Sequence, residues 1–520
     1  MATAQWGVFE RAFESGEDHA DPFRDVEAAV RFEAPSGRTR QVEAFWDGGR
    51  TWRVRFSPDE PGTWRYRTSC AVDAVLEGRE GTFECGGPAG ERLGARGPIR
   101  LADDLRHFEH ADGTAFFYLA DTAWNGVLRA SAEQWARYLS RRAEQGFSAV
   151  QFVCTHWRAC AADPVGDVAW EGVEDIRLNP AFFARMDAKV AAINAHGLVG
   201  VPVLLWALKP CDPGRYLAEA DAIRVARYVA ARWGAHNVIW LLGGDGAYTG
   251  ESAARWCRVG KAVFGNDPDR RDRLVSMHPQ GVSSYAADLG GEAWLDFLGY
   301  KSGHGDSEDH LRWTAEGPMS TDWRRRPTRP VVNLEPNYEY HVGYHHKTVH
   351  GAREVRRAAW WSLLAAPPAG ITYGNNHIWP WNHEPGPAPD HPGCCPGDTC
   401  GPWERGLDMP GVEGMGVLAG FFRSFEWWQL RPAPDALAQQ PGREQVARYV
   451  SVARTDDGAF LVAYTPAGDA VALRAAAAPP GDALWLDPRT GQMRPAAPDG
   501  ARYAPPDDRD WVLTIGAGAC

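Results

Sequence analysis

The sequence predicts a multidomain chain in which a central (β/α)8 barrel of the TIM type lies between two smaller all-β domains. Three observations predict it. Between about residues 96 and 425, short apolar runs alternate with helical stretches over the length such a barrel needs. On either side, short alternating strands are broken by Pro/Gly turns at β-sandwich spacing. Each central run also ends in polar or aromatic residues, which a doubly wound open sheet would leave unexplained. The expected domains are residues 1–95, 96–425 and 426–520, and 520 residues are too many for a single core.

The N-terminal strands are placed at Val26–Phe32, Gln41–Trp46, Thr51–Phe56 and Thr63–Thr68, with a tight hairpin at Asp47-Gly48-Gly49. Barrel strands are expected at 116–124, 149–154, 199–205, 238–242, 274–278, 297–300, 331–334 and 371–374. One helix opens at Ser131 with Trp135, Tyr138, Leu139 and Ala143 on one stripe, and Asn179-Pro180 caps a second. Further helices fit Ala220–Trp233, Ser252–Phe264 and Arg353–Leu364, and C-terminal strands fit Gln445–Arg454, Phe460–Thr465, Ala483–Asp487 and Asp510–Ile515.

The net charge of −12 argues against a nucleic-acid partner or an anionic membrane surface. No apolar stretch reaches the ~20 residues of a membrane span. The opening Met1-Ala-Thr-Ala-Gln-Trp-Gly-Val lacks the basic start and apolar core of a signal peptide, so a cytoplasmic location is expected, or secretion if a leader has been removed. Cys394, Cys395 and Cys400 crowd one Pro/Gly-rich loop, but Cys-Cys-x4-Cys is no regular zinc spacing. Free or loop-stapling thiols are expected there rather than a metal, and no cofactor is expected. Cys70 and Cys85 are a candidate pair in an exported chain. Many of the 24 tryptophans are expected in the core, but a sugar-binding cleft also uses flat indole faces against apolar C–H surfaces.

Barrel enzymes place their chemistry at the C-terminal strand ends. There the chain carries Asp121 and Trp124, then His156 and Trp157, Trp206 and Lys209, Asp245, His278, Tyr300, Glu335 with Tyr338 and Glu339, and Asn375 with Trp379 just beyond. Asp245 and Glu335 each end a β-branched apolar run, on strands four and seven. Two carboxylates facing one cavity are the minimum for hydrolysing a glycosidic bond, and in retaining enzymes they stand about 5–5.5 Å apart. Glu335 is read as the nucleophile and Asp245 as the acid/base, with Gly243 and Gly244 letting substrate approach the backbone and Trp206 and Trp240 supplying apolar surroundings. The other residues are read as substrate-binding. Rival readings stand beside these: Glu339 as the working carboxylate, Asp245 as a helix N-cap, Asp121 as a structural group. His156 and His278 are read as donors to substrate, since no third metal ligand lies at useful spacing.

Five segments, Phe117–Trp124, Gly146–Phe152, Asn237–Asp245, Asn333–Glu339 and Gly370–Gly374, resemble in order those of the apiosidase-like glycoside hydrolases. The resemblance covers about residues 100–425. It implies a TIM barrel and a retaining mechanism with Asp245 as acid/base and Glu335 as nucleophile. Trp6–Glu10, Phe45–Gly49 and Val54–Pro58 resemble the Ig-like domain that often precedes this barrel, and the C-terminal part resembles the β-sandwich that often follows it. The expected activity is cleavage of a plant-type oligosaccharide or glycoside, in the manner of an apiosidase or a pentofuranosidase. The alternative is a non-catalytic carbohydrate-binding protein on the same barrel. The expected partner is the sugar alone, with self-association as a homo-oligomer left open.

Overall fold

A computed structural model describes residues 2–90, 93–265 and 274–516. Eight parallel strands form the centre: β1 Tyr118–Thr122, β2 Ala149–Val153, β3 Val199–Trp206, β4 Trp240–Gly246, β5 Val275–Pro279, β6 Leu298–Tyr300, β7 Val331–Asn333 and β8 Pro368–Tyr373. Their order is β5-β4-β3-β2-β1-β8-β7-β6. The sheet comes near to closing where Asp296 N donates to Val275 O at 2.8 Å and Ser276 Oγ to Phe297 O at 2.7 Å. All eight expected strands are present, with ends that agree or are shifted by up to four residues. Every residue of these strands is buried, as in a barrel covered on one side by helices and filled on the other by side chains.

The helical layer comprises α1 Ala132–Glu144, α2 Pro180–Ala195, α3 Glu219–Trp233, α4 Gly250–Phe264, α5 Glu308–Glu316, α6 Ala352–Ala365 and α7 Pro410–Arg423, besides shorter turns. Ser131 and Gln134 form a capping box at α1, and Asn179 caps α2 with Pro180 at its first position, as expected. A feature not read from the sequence is the antiparallel meander Ile99–Leu101, Phe108–His110 and Ala115–Phe116 that precedes β1. Its Phe108 meets Phe297, just before β6, edge-on at 5.3 Å.

The N-terminal domain is two sheets, of five and three strands, enclosing Phe9, Val30, Phe32, Phe56, Trp64 and Phe83. The Asp47-Gly48-Gly49 hairpin forms, with both glycines at positive φ. Strands Ala2–Gln5, Phe9–Glu14 and Glu80–Pro88 were not expected. The domain is tied to the barrel at Asp187 of α2, which accepts from Arg55 of the domain at 2.7 Å and from Arg232 of α3 at 2.7 Å. At the other end, a six-stranded antiparallel sheet covers α6. Arg356 of α6 forms a two-pronged pair with Asp510 at 2.8 and 2.9 Å, and Trp361 Nε1 donates to Tyr449 O at 2.9 Å. The strand expected at Gln445–Arg454 begins only at Ser451, because Val446–Arg448 winds into a 3-10 turn.

Among the described residues no helix is long and apolar enough to cross a membrane. Cys395 and Cys400 form a disulfide, whereas Cys70 and Cys85 are buried free thiols and do not pair.

Candidate active site

A cavity of about 440 Å³ opens at the C-terminal ends of the strands. Asp245 and Glu335 both line it and are nearly inaccessible to solvent. Asp245 sits at the end of β4 with φ of 55°, a left-handed conformation uncommon outside glycine and often found where a side chain must be aimed. It caps no helix, since α4 is preceded by Thr249. Glu335 follows β7 by two residues.

One side chain joins the two carboxylates. Lys301 Nζ, just past β6, is 2.7 Å from Asp245 Oδ1 and 2.9 Å from Glu335 Oε1. Those two oxygens therefore stand at most 5.6 Å apart, the sum of the two contacts. Burial opposes the Lys301 charge, but the two carboxylates override it and raise its pKa. Burial likewise disfavours the Glu335 carboxylate, yet Lys301 together with His278 and His304 holds it well below the usual carboxylate range.

Two histidines complete the surroundings of Glu335. His304 Nδ1 accepts from Tyr338 N at 3.3 Å, so Nε2 carries the proton and donates to Glu335 Oε1 at 3.0 Å. Burial lowers the His304 pKa to about 4, which keeps that ring neutral. His278 Nε2 lies 3.2 Å from Glu335 Oε2. The floor and walls are aromatic: Trp124, Trp157, Trp206, Tyr338 and Trp379 line the cavity as expected, and Trp206 meets Trp124 at 5.2 Å and Trp157 at 4.5 Å between ring centres. A charged group of fixed position beside flat apolar faces suits a sugar ring, with its polar edge and C–H surfaces.

Several expected site residues lie elsewhere, for identifiable reasons. Asp121 is fully buried against α1, where it accepts from Arg142 Nε at 2.6 Å and Tyr138 Oη at 2.8 Å. Glu339 accepts from Gly411 N at 2.9 and 3.0 Å, holding the start of α7, and from Tyr373 Oη at 2.6 Å. Both carboxylates are thus fully engaged by the scaffold. Tyr300 donates to Asp322 at 2.6 Å, and Asn375 Oδ1 accepts from His377 N and Ile378 N. His156 contacts Tyr216 Oη at 3.2 Å and accepts from Ala169 N, and Lys209 pairs with Asp390 on the rim. None of these six lines the cavity. Trp240 is turned outward against Phe264. The glycines before Asp245 serve packing rather than substrate approach: a Cβ on Gly244 would stand 2.5 Å from the Trp206 ring, and one on Gly243 would stand 2.5 Å from Tyr248 Oη.

The sequence reading missed Lys301, His304, His341, Tyr344, His345 and His391, all on the cavity wall. A signal for them existed. Ten of the sixteen histidines fall between His278 and His391, a density no core requires. The long loop after β8 supplies His391, and its Asp390 is clasped by Arg158 at 2.9 Å and Lys209 at 2.8 Å.

Residues 102–429 match the profile described as an apiosidase-like catalytic domain. Residues 2–71 match a domain of unknown function, and residues 432–516 a profile described as a collagen-binding domain of a collagenase. No curated protein matches the chain. A glycoside hydrolase of family 5 from Bacteroides vulgatus is 21% identical, with a TM-score of 0.70 over 82% of this chain and 95% of that one. A structure titled only as a glycoside hydrolase is 21% identical, with a TM-score of 0.69 over 82% of this chain and 99% of that one. A second Bacteroides vulgatus protein, 18% identical, spans 99% of both chains with a TM-score of 0.71. At these identities the solved structures speak for the fold.

Proposed function

We propose, on the premise that this chain belongs to the apiosidase-like family and is a glycoside hydrolase, that it cleaves its glycosidic bond with retention of configuration. Glu335 would be the nucleophile and Asp245 the acid/base. The observation that carries this reading is the single ammonium of Lys301 shared by both carboxylates, which limits their oxygens to 5.6 Å. Inverting enzymes leave roughly 6.5–9.5 Å so that a water fits between substrate and base. The close approach of these two oxygens supports direct attack rather than attack by an interposed water.

The two carboxylates also differ in the way the mechanism needs. Glu335 is held ionised by Lys301 and the two histidines, as a nucleophile must be. Its neutral donor His304 steadies one carboxylate oxygen without adding a second full charge. Among the described residues, the hydrogen bond that the Asp245 carboxylate accepts comes from Lys301. A glycosidic oxygen entering between the carboxylates would displace Nζ from Asp245 Oδ1 and take its place as that oxygen's partner. Proton transfer to the leaving group and later from water would then run through Asp245.

For the substrate we propose a plant-type oligosaccharide or glycoside carrying apiose or another pentofuranose. The family supports that sugar class, and a cavity of about 440 Å³ walled by indoles supports a compact terminal residue. The test is incubation of the wild type, beside Glu335→Gln, with aryl glycosides and pectin-derived oligosaccharides that include apiosides and arabinofuranosides. Release by the wild type alone, with the first-formed anomer retained in NMR, supports the proposal. An inverted first product, or turnover by Glu335→Gln, refutes it.

A further inference from the structure

The loop after β8 carries three sulfurs that hydrolysis does not use. Cys395 and Cys400 are joined, Cys394 is free, and none of the three exceeds 2% exposure. Their Sγ atoms all lie within 4.8 Å of one another, with Cys394 Sγ 3.9 Å from Cys395 Sγ. Thiolates bound to one d10 cation at about 2.3 Å stand about 3.8 Å apart in a tetrahedral site and about 4.0 Å apart in a trigonal one. One edge of such a site is therefore already at length, and opening the disulfide would let the bonded sulfurs part toward the same separation.

The backbone around them is anchored independently of that bond. Cys394 O accepts from Val342 N at 2.9 Å and from Asn376 Nδ2 at 2.7 Å. Cys400 exchanges two backbone hydrogen bonds with Gly386, at 2.7 and 3.0 Å, and Asp398 accepts from Gly393 N at 2.7 Å. Reduction would thus free the sulfurs while the chain that carries them stays in place.

We propose that reduction of Cys395–Cys400 turns Cys394, Cys395 and Cys400 into a three-thiolate site for a thiophilic d10 cation, Zn²⁺ in the first instance. A dithiol reductant supplies two electrons and two protons to the S–S bond and leaves as its own disulfide. The cation then displaces three thiol protons to solvent, and the fourth position is taken by a solvent-derived ligand. The site is separate from the glycosidase chemistry and stands or falls without it. It adjoins the cleft all the same: Asn376 also accepts from Trp379 Nε1 at 3.0 Å, and Val342 follows His341, two residues of the cavity wall.

The experiment titrates Cd²⁺, a spectroscopic substitute for Zn²⁺, into the full chain under anaerobic conditions and reads the thiolate charge-transfer absorbance. It compares oxidised protein with protein reduced and freed of reductant. One saturating equivalent in the reduced wild type is expected, none in the oxidised protein, and loss of that equivalent in Cys394→Ser and in Cys400→Ser. Cys211→Ser, at an exposed free thiol, should behave as wild type. Cys394→Ser keeps the disulfide, so its fold can be checked in the oxidised state. Absence of the equivalent in reduced wild type, its presence before reduction, or its survival in Cys394→Ser would overturn the proposal.

Discussion

Replacing Lys301 by Met removes the one ammonium between Asp245 and Glu335 while keeping most of its volume. The two carboxylate oxygens lie at most 5.6 Å apart. At an effective dielectric constant of about 20, unit charges at that distance repel by at least about 3 kcal/mol, or about 2 pKa units. The ammonium offsets that repulsion in the wild type, and without it the repulsion is left uncompensated. In the wild type Glu335 is held low against its burial, with Lys301 the strongest of the opposing influences. In the variant that influence is gone, and burial and repulsion act in the same direction. A carboxylate whose pKa rises loses its ionised form at higher pH. The acid limb of kcat/KM, measured on an aryl glycoside the wild type cleaves, should therefore move to higher pH by on the order of 2 units. Stability carries the same sign. A depressed carboxylate pKa contributes stability that is present above the unfolded value and is lost as pH falls through the folded one. The loss of Tm in Lys301→Met should accordingly be larger at neutral pH than near pH 4. A variant that is slower but keeps the wild-type acid limb would refute the electrostatic reasoning.

Other substitutions separate chemistry from scaffold. Asp121→Asn leaves Arg142 fully buried without its counter-charge, so thermal denaturation should show a loss of about 3–5 kcal/mol, and kcat of the folded fraction should be close to wild type. A large fall in kcat without a fall in Tm would return Asp121 to the cleft. Glu339→Gln weakens the hold on the first turn of α7 and should cost about 1–2 kcal/mol by denaturant titration while turnover persists; abolished turnover would make Glu339 the working carboxylate after all. In Gly244→Ala the added methyl meets the Trp206 ring, and overpacking of about 1–3 kcal/mol should appear together with a raised KM as the indole is pushed into the cavity. An unchanged KM would show that Trp206 does not touch the sugar.

Much of the fold was legible because a barrel strand buried on both faces reads as an unbroken apolar run, and its neighbouring helices announce themselves by caps such as Ser131 and Asn179-Pro180. The same property hid half of the site. Where both faces are apolar, the sequence carries no mark of which parity points inward. Tyr300 and Lys301 are adjacent, and the reading took the one that turns out to Asp322 instead of the one that joins the carboxylates. Asp121 and Trp124 pose the same ambiguity at β1, where the tryptophan lines the cavity and the aspartate serves α1. His304, His341 and His391 come from loops, which have no period to read, and only their local abundance marked them. Asp245 and Glu335 were legible as rim residues because each closes an apolar run, although the same signal at Asp121 marked a scaffold group.

The hold of the last domain on α6 bears on how such chains can be cut and recombined. Arg356 and Trp361 of that helix hydrogen-bond to Asp510 and Tyr449 of the segment that follows residue 430, and Trp360 lies flat on Tyr464 at 5.8 Å. Severed there, the catalytic part would expose the faces of two indoles to water and leave the Arg356 guanidinium without Asp510, on the helix that joins β7 to β8. A cut between the barrel and its C-terminal sheet should therefore destabilise both.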